Sequence, residues 1–593
     1  MPIRLRPTPS KVRRTPFPDK GKEDRSHPDP LRRVRISIYS MRTSSHTDDL
    51  NSDWNLRPRT GCGGRMLVKK VGVYGWGIVA PRSPDMDAFA RNLESAESWL
   101  SPFHGFGPDT FLVGEPEFDP ERYRSWVEAR FPPNRFPQLV SKMDPTTLYA
   151  VGAFIQSLEQ NPGMEEVLKE LGDEAHVYVG TGLGAMPTLH EASLQLHRAQ
   201  REWDRFWAHP DRCAPLRRYL DDPAAVDEVL AGAAPPPAPD GFVDLFQRAE
   251  ATEAWNAFWA ARSDTLALYL DELAAVEGLS VSGDVEAGKL KAIRKKQRAR
   301  SQLQERWGAP PPPWTEVTTN VLWNLANTPA SQITMLGGIT GLSFAPVAAC
   351  STFGVCLKLA MDAIQRGEAR AVVVGATDPP PHPLVVGAFY RARVLAADGA
   401  VSKPLTGLRG THVSGGSVIW IVGDRDFMEE KGFEPLGMEP LAVGVSSDAD
   451  HIITPSREGP TASIHQGLAR SGVAPQEVAA WDLHATATPG DYLEVETLRG
   501  VLSEDVLVTA RKGTFGHGMS AGGGWELTAQ YLGAARGVVH PTPLARSELN
   551  EQIHGVHGRF VFDDSCPMPV GAPQGKLSMG IGGINACVIS RPL

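Results

Sequence analysis

Apolar and polar residues follow a strand–helix rhythm over most of this chain. "KKVGVYGWGIVAP" (Lys69 to Pro81) and "HVYVGTGLGAM" (His176 to Met186) are short β-rich runs broken by glycines, and "TLYAVGAFIQSLEQ" between them repeats at helical spacing. Strands alternating with helices predict parallel sheets covered on both faces, an α/β class. From about Leu196 to Glu316 the rhythm breaks. That segment is rich in Trp, Ala, Arg and Glu, carries the proline clusters "AAPPPAPDG" and "GAPPPPW", and reads as a mainly helical insertion with stiff linkers. The alternation resumes near Val321 and runs to "KLSMGIGGINACVIS", again glycine-interrupted strands.

One junction of the pattern carries chemistry. In "SFAPVAACSTFGVCLKLAMDAIQRG" a buried-strand pattern precedes Cys350, and Phe353, Cys356, Leu357, Ala360 and Ile364 then recur at helical spacing until Gly367 stops the helix. Cys350 therefore stands at a helix start, where unpaired N–H groups and the macrodipole favour a thiolate. Cys356 falls on the apolar side of the same helix and reads as core. Two histidines are candidates to assist. His484 ends an apolar strand in "AAWDLHATATPGDYLEVETL", before a small-residue turn with two threonines and a helix bearing Asp491, Glu494 and Glu496. His517 lies between glycines in "VLVTARKGTFGHGMSAGGGWELTAQYL", after a strand and Lys512 and before another helix.

Composition narrows the classes. A chain of 593 residues is long enough for two or more packed units. Its net charge of −9 argues against nucleic acid as the main partner, and no apolar run approaches a membrane span. Six scattered cysteines without a CxxC pair offer neither a disulfide framework nor a zinc site, so no metal is expected and a reducing cytoplasm fits. Residues 1–65 mix Arg, Pro, Ser and Asp without apolar periodicity. They are expected to be disordered, with the folded part starting at Met66.

Taken together, these motifs resemble the β-ketoacyl-[acyl-carrier-protein] synthases of the thiolase superfamily, in the elongating Cys-His-His class. "AACSTFG" matches the family's nucleophile motif. "HATATPGDYLE" (His484 to Glu494) matches "HGTxTxxGDxxE", "KGTFGHGMSAGG" (Lys512 to Gly523) matches "KxxxGHxxxAAG", and "GIGGIN" (Gly580 to Asn585) stands for the closing "GFGGTN". "SKMDPTT", "VGTGLG" and "VSSDADHIITP" are weaker echoes. The resemblance implies two similar halves, residues 66–434 (with the insertion at about 196–316) and 435–593, in a layered αβαβα arrangement. It implies a homodimer, acyl carrier protein as partner, and no cofactor beyond the phosphopantetheine that arrives on the carrier protein or coenzyme A.

The resemblance further implies an acyltransferase of fatty acid biosynthesis that condenses an acyl group on Cys350 with malonyl-carrier protein. The backbone N–H groups of Cys350 and Ile581 would form the oxyanion hole, and His484 and His517 would donate to the enolate. Lys512 would support the site, Thr486 and Thr488 would hold the pantetheine arm, and Ile581 would occupy the acyl-gate position. A ketosynthase of polyketide or specialised lipid assembly is the alternative. A non-catalytic chain-length-factor type, a Cys-His-Asn starter synthase and a thiolase fit less well. Three departures stand out: Ala485 and Ala487 replace glycine or serine, "THVSGGS" (Thr411 to Ser417) puts Gly416 where the family has an acid, and Met579 and Ile581 replace both closing aromatics.

Overall fold

The computed structural model describes residues 69–593 apart from 108, 226–232, 281–284, 408, 453–455, 557–558 and 569. The expectation of disorder for residues 1–65 lies outside the described residues.

The strands that organise the fold are β1 (Val71–Val79), β2 (Ala175–Gly180), β3 (Ser343–Phe344), β4 (Ala371–Asp378), β5 (Gly416–Asp424), β6 (Met438–Ser447), β7 (Ala480–Asp482), β8 (Leu507–Thr509), β9 (Gln574–Gly580) and β10 (Ile584–Pro592). They build two five-stranded sheets, β1-β5-β4-β2-β3 and β8-β7-β9-β10-β6. Numbered within its own half, each sheet has the same order: first, last, fourth, second, third. In each, the first and last strands pair antiparallel, the last and fourth antiparallel, and the remaining pairs run parallel. The wholly parallel sheets expected from the alternation are thus corrected to mixed ones. Each half ends in a strand that returns beside its first, and periodicity does not report strand direction.

The helices that matter here are α1 (Pro145–Glu159), α2 (Met186–Trp207), α3 (Ala214–Asp221), α4 (Leu245–Ala260), α5 (Asp264–Glu277), α6 (Val285–Trp307), α7 (Thr352–Arg366), α8 (Glu458–Ser471), α9 (Gly490–Arg499) and α10 (Met519–Arg536). α7 and α10 form the middle layer. Phe353, Leu357 and Ile364 of α7 and Trp525, Leu527 and Tyr531 of α10 pack with the inward residues of the first sheet and with Val443 and Val588 of the second. α1 covers the outer face of the first sheet, and α8 and α9 cover that of the second. The layers therefore run α, β, α, β, α. Glycines in "VGVYGWGIV" serve this stacking: a Cβ at Gly75 or Gly77 would stand 2.1 Å from the Ser157 carbonyl oxygen or 1.9 Å from that of Ala153, so α1 lies directly on β1.

The insertion folds around its own aromatic core. Trp203, Trp207, Tyr269 and Leu303 form one buried cluster, and Cys213, Leu216 and Trp259 a second. Its first helix, α2, starts at Met186, ten residues before the break in the sequence pattern, and is rooted in the body through Thr188, whose amide and hydroxyl both donate to Asp144. Among the described residues no helix is long and apolar enough to cross a membrane.

Candidate active site

The nucleophile candidate sits at a strained turn. "SFAPVAA" reads as a buried strand, but the strand is only Ser343–Phe344, at the sheet edge, and Val347 is exposed. Pro346 has no N–H to continue the ladder. The chain then makes one tight turn, Ala349–Ser351, into α7. Ala349 takes φ 48°, a left-handed conformation unfavourable for a residue with a Cβ. Thr352 holds the turn, its hydroxyl accepting from the Ala348 amide at 3.0 Å and donating to the Ala349 carbonyl at 2.7 Å. The Ser351 hydroxyl donates to the Ser578 and Ile584 carbonyls, which ties the turn to the β9–β10 hairpin.

Cys350 thereby faces a cavity of about 120 Å³, and the amides of Ile581 and of Cys350 itself point at its sulfur. Burial pushes its thiol up to about 11, overriding the lowering by these amides and by Lys512. The helix-start expectation of a resting thiolate is therefore corrected. Desolvation at this depth outweighs the helix terminus. Cys356 is fully buried on α7.

Both histidines line the same cavity. Cys350, His484 and His517 bring their sulfur and ring nitrogens within 4.8 Å of one another. The two imidazoles meet edge to face, with centroids 5.5 Å apart. His517 Nδ1 accepts from the Met519 amide at 3.1 Å, so the neutral ring carries its proton on Nε2. Burial lowers His517 to about 3 and His484 well below the usual value, and Lys512 adds to both. Both rings are neutral at physiological pH. Lys512 Nζ donates to the His484 carbonyl at 2.5 Å and to Glu526 Oε1 at 2.6 Å.

The turn after His484 is held by two buried carboxylates. Glu494 accepts from the amides of His484 (2.6 Å) and Ala485 (2.8 Å). Asp491 accepts from the amides of Thr486, Ala487, Thr488 and Leu405. Burial nevertheless raises Glu494 to about 7 and Asp491 to about 6. These bonds also hold Ala487 at φ 60°, the conformation a glycine would adopt freely. The Thr486 and Thr488 hydroxyls bond each other at 2.9 Å and line the cavity.

Ile581 turns its amide to Cys350, yet its side chain is 47% exposed. The isoleucine lies at the cavity wall beside Met579. Gly416 takes φ 135°, and a Cβ there would stand 2.2 Å from the Val79 carbonyl oxygen and 2.8 Å from Trp525 Cζ2. Trp525 fills this space and donates its indole N–H to the Ser417 carbonyl.

Several contributors were not singled out from sequence. Asp378, at the end of β4, accepts from the amides of Gly182, Leu183 and Ser520 and so sets the start of α10 behind the site. Glu526 and Lys576 are buried ions in the middle of the molecule. An acid inside the apolar, glycine-rich "MSAGGGWELTAQYL" is a readable signal for Glu526. Lys576, in an alternating strand, looks like a surface residue.

The description "Beta-ketoacyl synthase, N-terminal domain" matches residues 199–419, and "Beta-ketoacyl synthase, C-terminal domain" matches residues 439–545. The chain is 29% identical over 267 residues (43% of this chain, 56% of the relative) to the chloroplastic 3-oxoacyl-[acyl-carrier-protein] synthase I of Hordeum vulgare. It is 28% identical over 233 residues (38% and 57%) to nodulation protein E of Rhizobium meliloti. The chain thus spans about half the length of the curated relatives it matches. Among solved structures, the ishigamide ketosynthase/chain length factor superposes with a TM-score of 0.60 at 16% identity, covering 88% of this chain and 99% of the other. A β-ketoacyl synthase from Burkholderia phymatum STM815 gives 0.60 at 15%, covering 88% and 100%. With the thiolase-like fold of two topologically equal halves and both family descriptions matched in order, this chain belongs to the β-ketoacyl synthase family.

Proposed function

We propose that the protein is a 3-oxoacyl-[acyl-carrier-protein] synthase. The observation that carries this reading is the grouping, in one cavity, of a buried thiol under two amides and two neutral imidazoles. Cys350 Sγ attacks an acyl thioester. The new S–C bond forms as the bond to the pantetheine sulfur breaks, and the thiol proton leaves with that sulfur. The carbonyl oxygen, negative in the tetrahedral intermediate, takes hydrogen bonds from the amides of Cys350 and Ile581. Malonyl thioester then binds with its pantetheine arm along Thr486 and Thr488. Its carboxylate leaves as CO₂, and the electron pair moves into an enolate whose oxygen accepts from His484 and from His517 Nε2. The enolate carbon attacks the acyl-Cys carbonyl, a C–C bond forms as the C–S bond to Cys350 breaks, and the departing thiolate takes a proton from solvent to return to the thiol. Lys512 orients the His484 backbone. No step draws on a metal or cofactor.

Acyl carrier protein is the substrate carrier in this reading, and the protein works as a homodimer. The open edge of the first sheet at β3, flanked by exposed Met335, Leu342 and Val347, supports the second point. A reducing, cytoplasmic setting agrees with the described cysteines, all of them free. Polyketide or specialised lipid assembly is the second reading, favoured by Met579 and Ile581 in place of the closing aromatics. The test supplies acyl donors of graded length with malonyl-carrier protein and identifies products by mass. Cys350→Ala should lose condensation and show no acyl adduct at residue 350; His484→Ala and His517→Ala should each slow malonyl decarboxylation by about 10²–10³ and acyl transfer much less. An adduct confined to another cysteine, or equal loss of both half-reactions, sinks the reading.

A further inference from the structure

The proposed chemistry leaves one buried lysine unused. In β9, strand alternation turns Leu577 to the outer helices and Lys576 to the middle layer. Lys576 is 1% exposed, and burying an ammonium is costly unless it is fully paired. Its Nζ lies 2.7 Å from Glu526 Oε2, an off-axis ion pair, donates to the Leu577 carbonyl, and reaches the Leu483 carbonyl at 3.4 Å. The other Glu526 oxygen takes Lys512, which donates in turn to the carbonyl of His484.

Leu483 and His484 are consecutive. The contacts therefore close a ring: Leu483 carbonyl, Lys576, Glu526, Lys512, His484 carbonyl. Two ammoniums and one carboxylate leave a single surplus positive charge, and the neighbouring Arg511 and Asp482 neutralise each other at 2.7 Å. We propose that Lys576 is a positioning residue: with Glu526 and Lys512 it clamps the chain at His484, and the surplus charge of the clamp adds to burial in holding the His484 and His517 imidazoles uncharged. The clamp sits behind the rings. Facing His484 are Lys512 from the short segment between β8 and α10, Glu526 from α10, Lys576 from β9, Glu494 from α9, and Cys350, His517, His451, Asp448 and Asp491 around the cavity. After burial, the lysines are among the groups that lower both imidazoles.

This inference rests on the condensing role of the two imidazoles, so its test reads the imidazoles directly. Diethyl pyrocarbonate modifies neutral imidazole, and mass spectrometry of the peptides separates His484 from His517. In the wild type both rates should stay constant from about pH 7.5 to 5; a fall near pH 6.5 overturns the proposal with no variant needed. In Lys576→Met, or Lys576→Gln should the first not fold, the His484 rate at pH 5 should drop at least about threefold, and Lys576→Arg should restore it. A profile unchanged in a folded uncharged variant also overturns it. The same variants should lower kcat for malonyl decarboxylation by about 10²-fold with KM unchanged. A wild type that shows the expected imidazole profile but no decarboxylation sinks the proposed function and leaves the clamp standing.

Discussion

At the scale of the residue, burial and local charge compete at Cys350, and burial wins. A thiol near 11 is roughly 10⁻⁴ ionised at pH 7, so under the proposed function Cys350 is stored as a thiol and loses its proton only as it attacks. Alkylation of free enzyme by iodoacetamide, followed at residue 350, should climb about tenfold per pH unit through pH 9. A plateau below pH 8 would show a preformed thiolate instead. Ala349 and Ala487 tell a related story. Both are left-handed at no steric benefit to themselves, and such residues cost of order 1–2 kcal/mol. The Thr352 hydroxyl donates to the Ala349 carbonyl and Asp491 accepts from the Ala487 amide, and these bonds hold them there, one beside Cys350 and the other beside the threonines of the cavity wall.

At the scale of the element, the insertion separates into packed and free faces. In α6, Lys296 donates to the Glu277 carbonyl and Arg300 pairs with Glu277 of α5, so these two cations are engaged. Lys291, Lys295 and Arg298 remain exposed at a spacing that places them on one side of the helix. Carrier proteins are acidic, and under the proposed function a chain of net charge −9 would need a local basic surface to meet one. Reversing these three residues to Glu should raise KM for malonyl-carrier protein about tenfold at low salt, flatten its salt dependence, and leave a small pantetheine thioester unaffected. An unchanged KM would assign the face to solvent.

At the scale of the whole molecule, buried titratable groups pull stability in opposite directions with pH. His412 is lowered to about 4, His517 and His540 to about 3, and His484 lower than usual as well, all chiefly by burial. These imidazoles take up protons only on unfolding, so the stability they contribute is full above about pH 6.5 and is lost as pH falls toward their folded values. Asp491 at about 6 and Glu494 at about 7 have the opposite sign: the folded state binds the extra proton, and their contribution is lost as pH rises through about 4 to 7. Asp482, also at about 6, and Asp378, raised by burial, act with these two carboxyls, so the two sets oppose each other between about pH 6.5 and 4.5. The urea midpoint should change little from about pH 6.5 to 4.5 and fall steeply below about pH 4, where the carboxyls no longer oppose. A midpoint that stays level or rises below about pH 4 would show that the histidines are not held neutral.

Periodicity and spacing sufficed to place Cys350, His484, Lys512, His517 and the glycine hairpin on their elements, and the helix stop at Gly367 is present as an αL cap. These are local properties: apolar repeat, turn chemistry and motif spacing act over a few residues. Strand direction, the early start of α2 at Met186 and the two-residue β3 depended on which strands meet, as did the fate of a proline at a sheet edge. The chemistry of the site shows the same division. Residue types announced a nucleophile and two donors, but their protonation follows from desolvation, which exists only once the layers close over them. Lys576 and Glu526 lie 50 residues apart in sequence and meet because β9 and α10 face each other across the second sheet and the middle layer. An alternating strand pattern says that Lys576 and Leu577 point opposite ways; only the stacking of the layers decides that the lysine is the one turned inward.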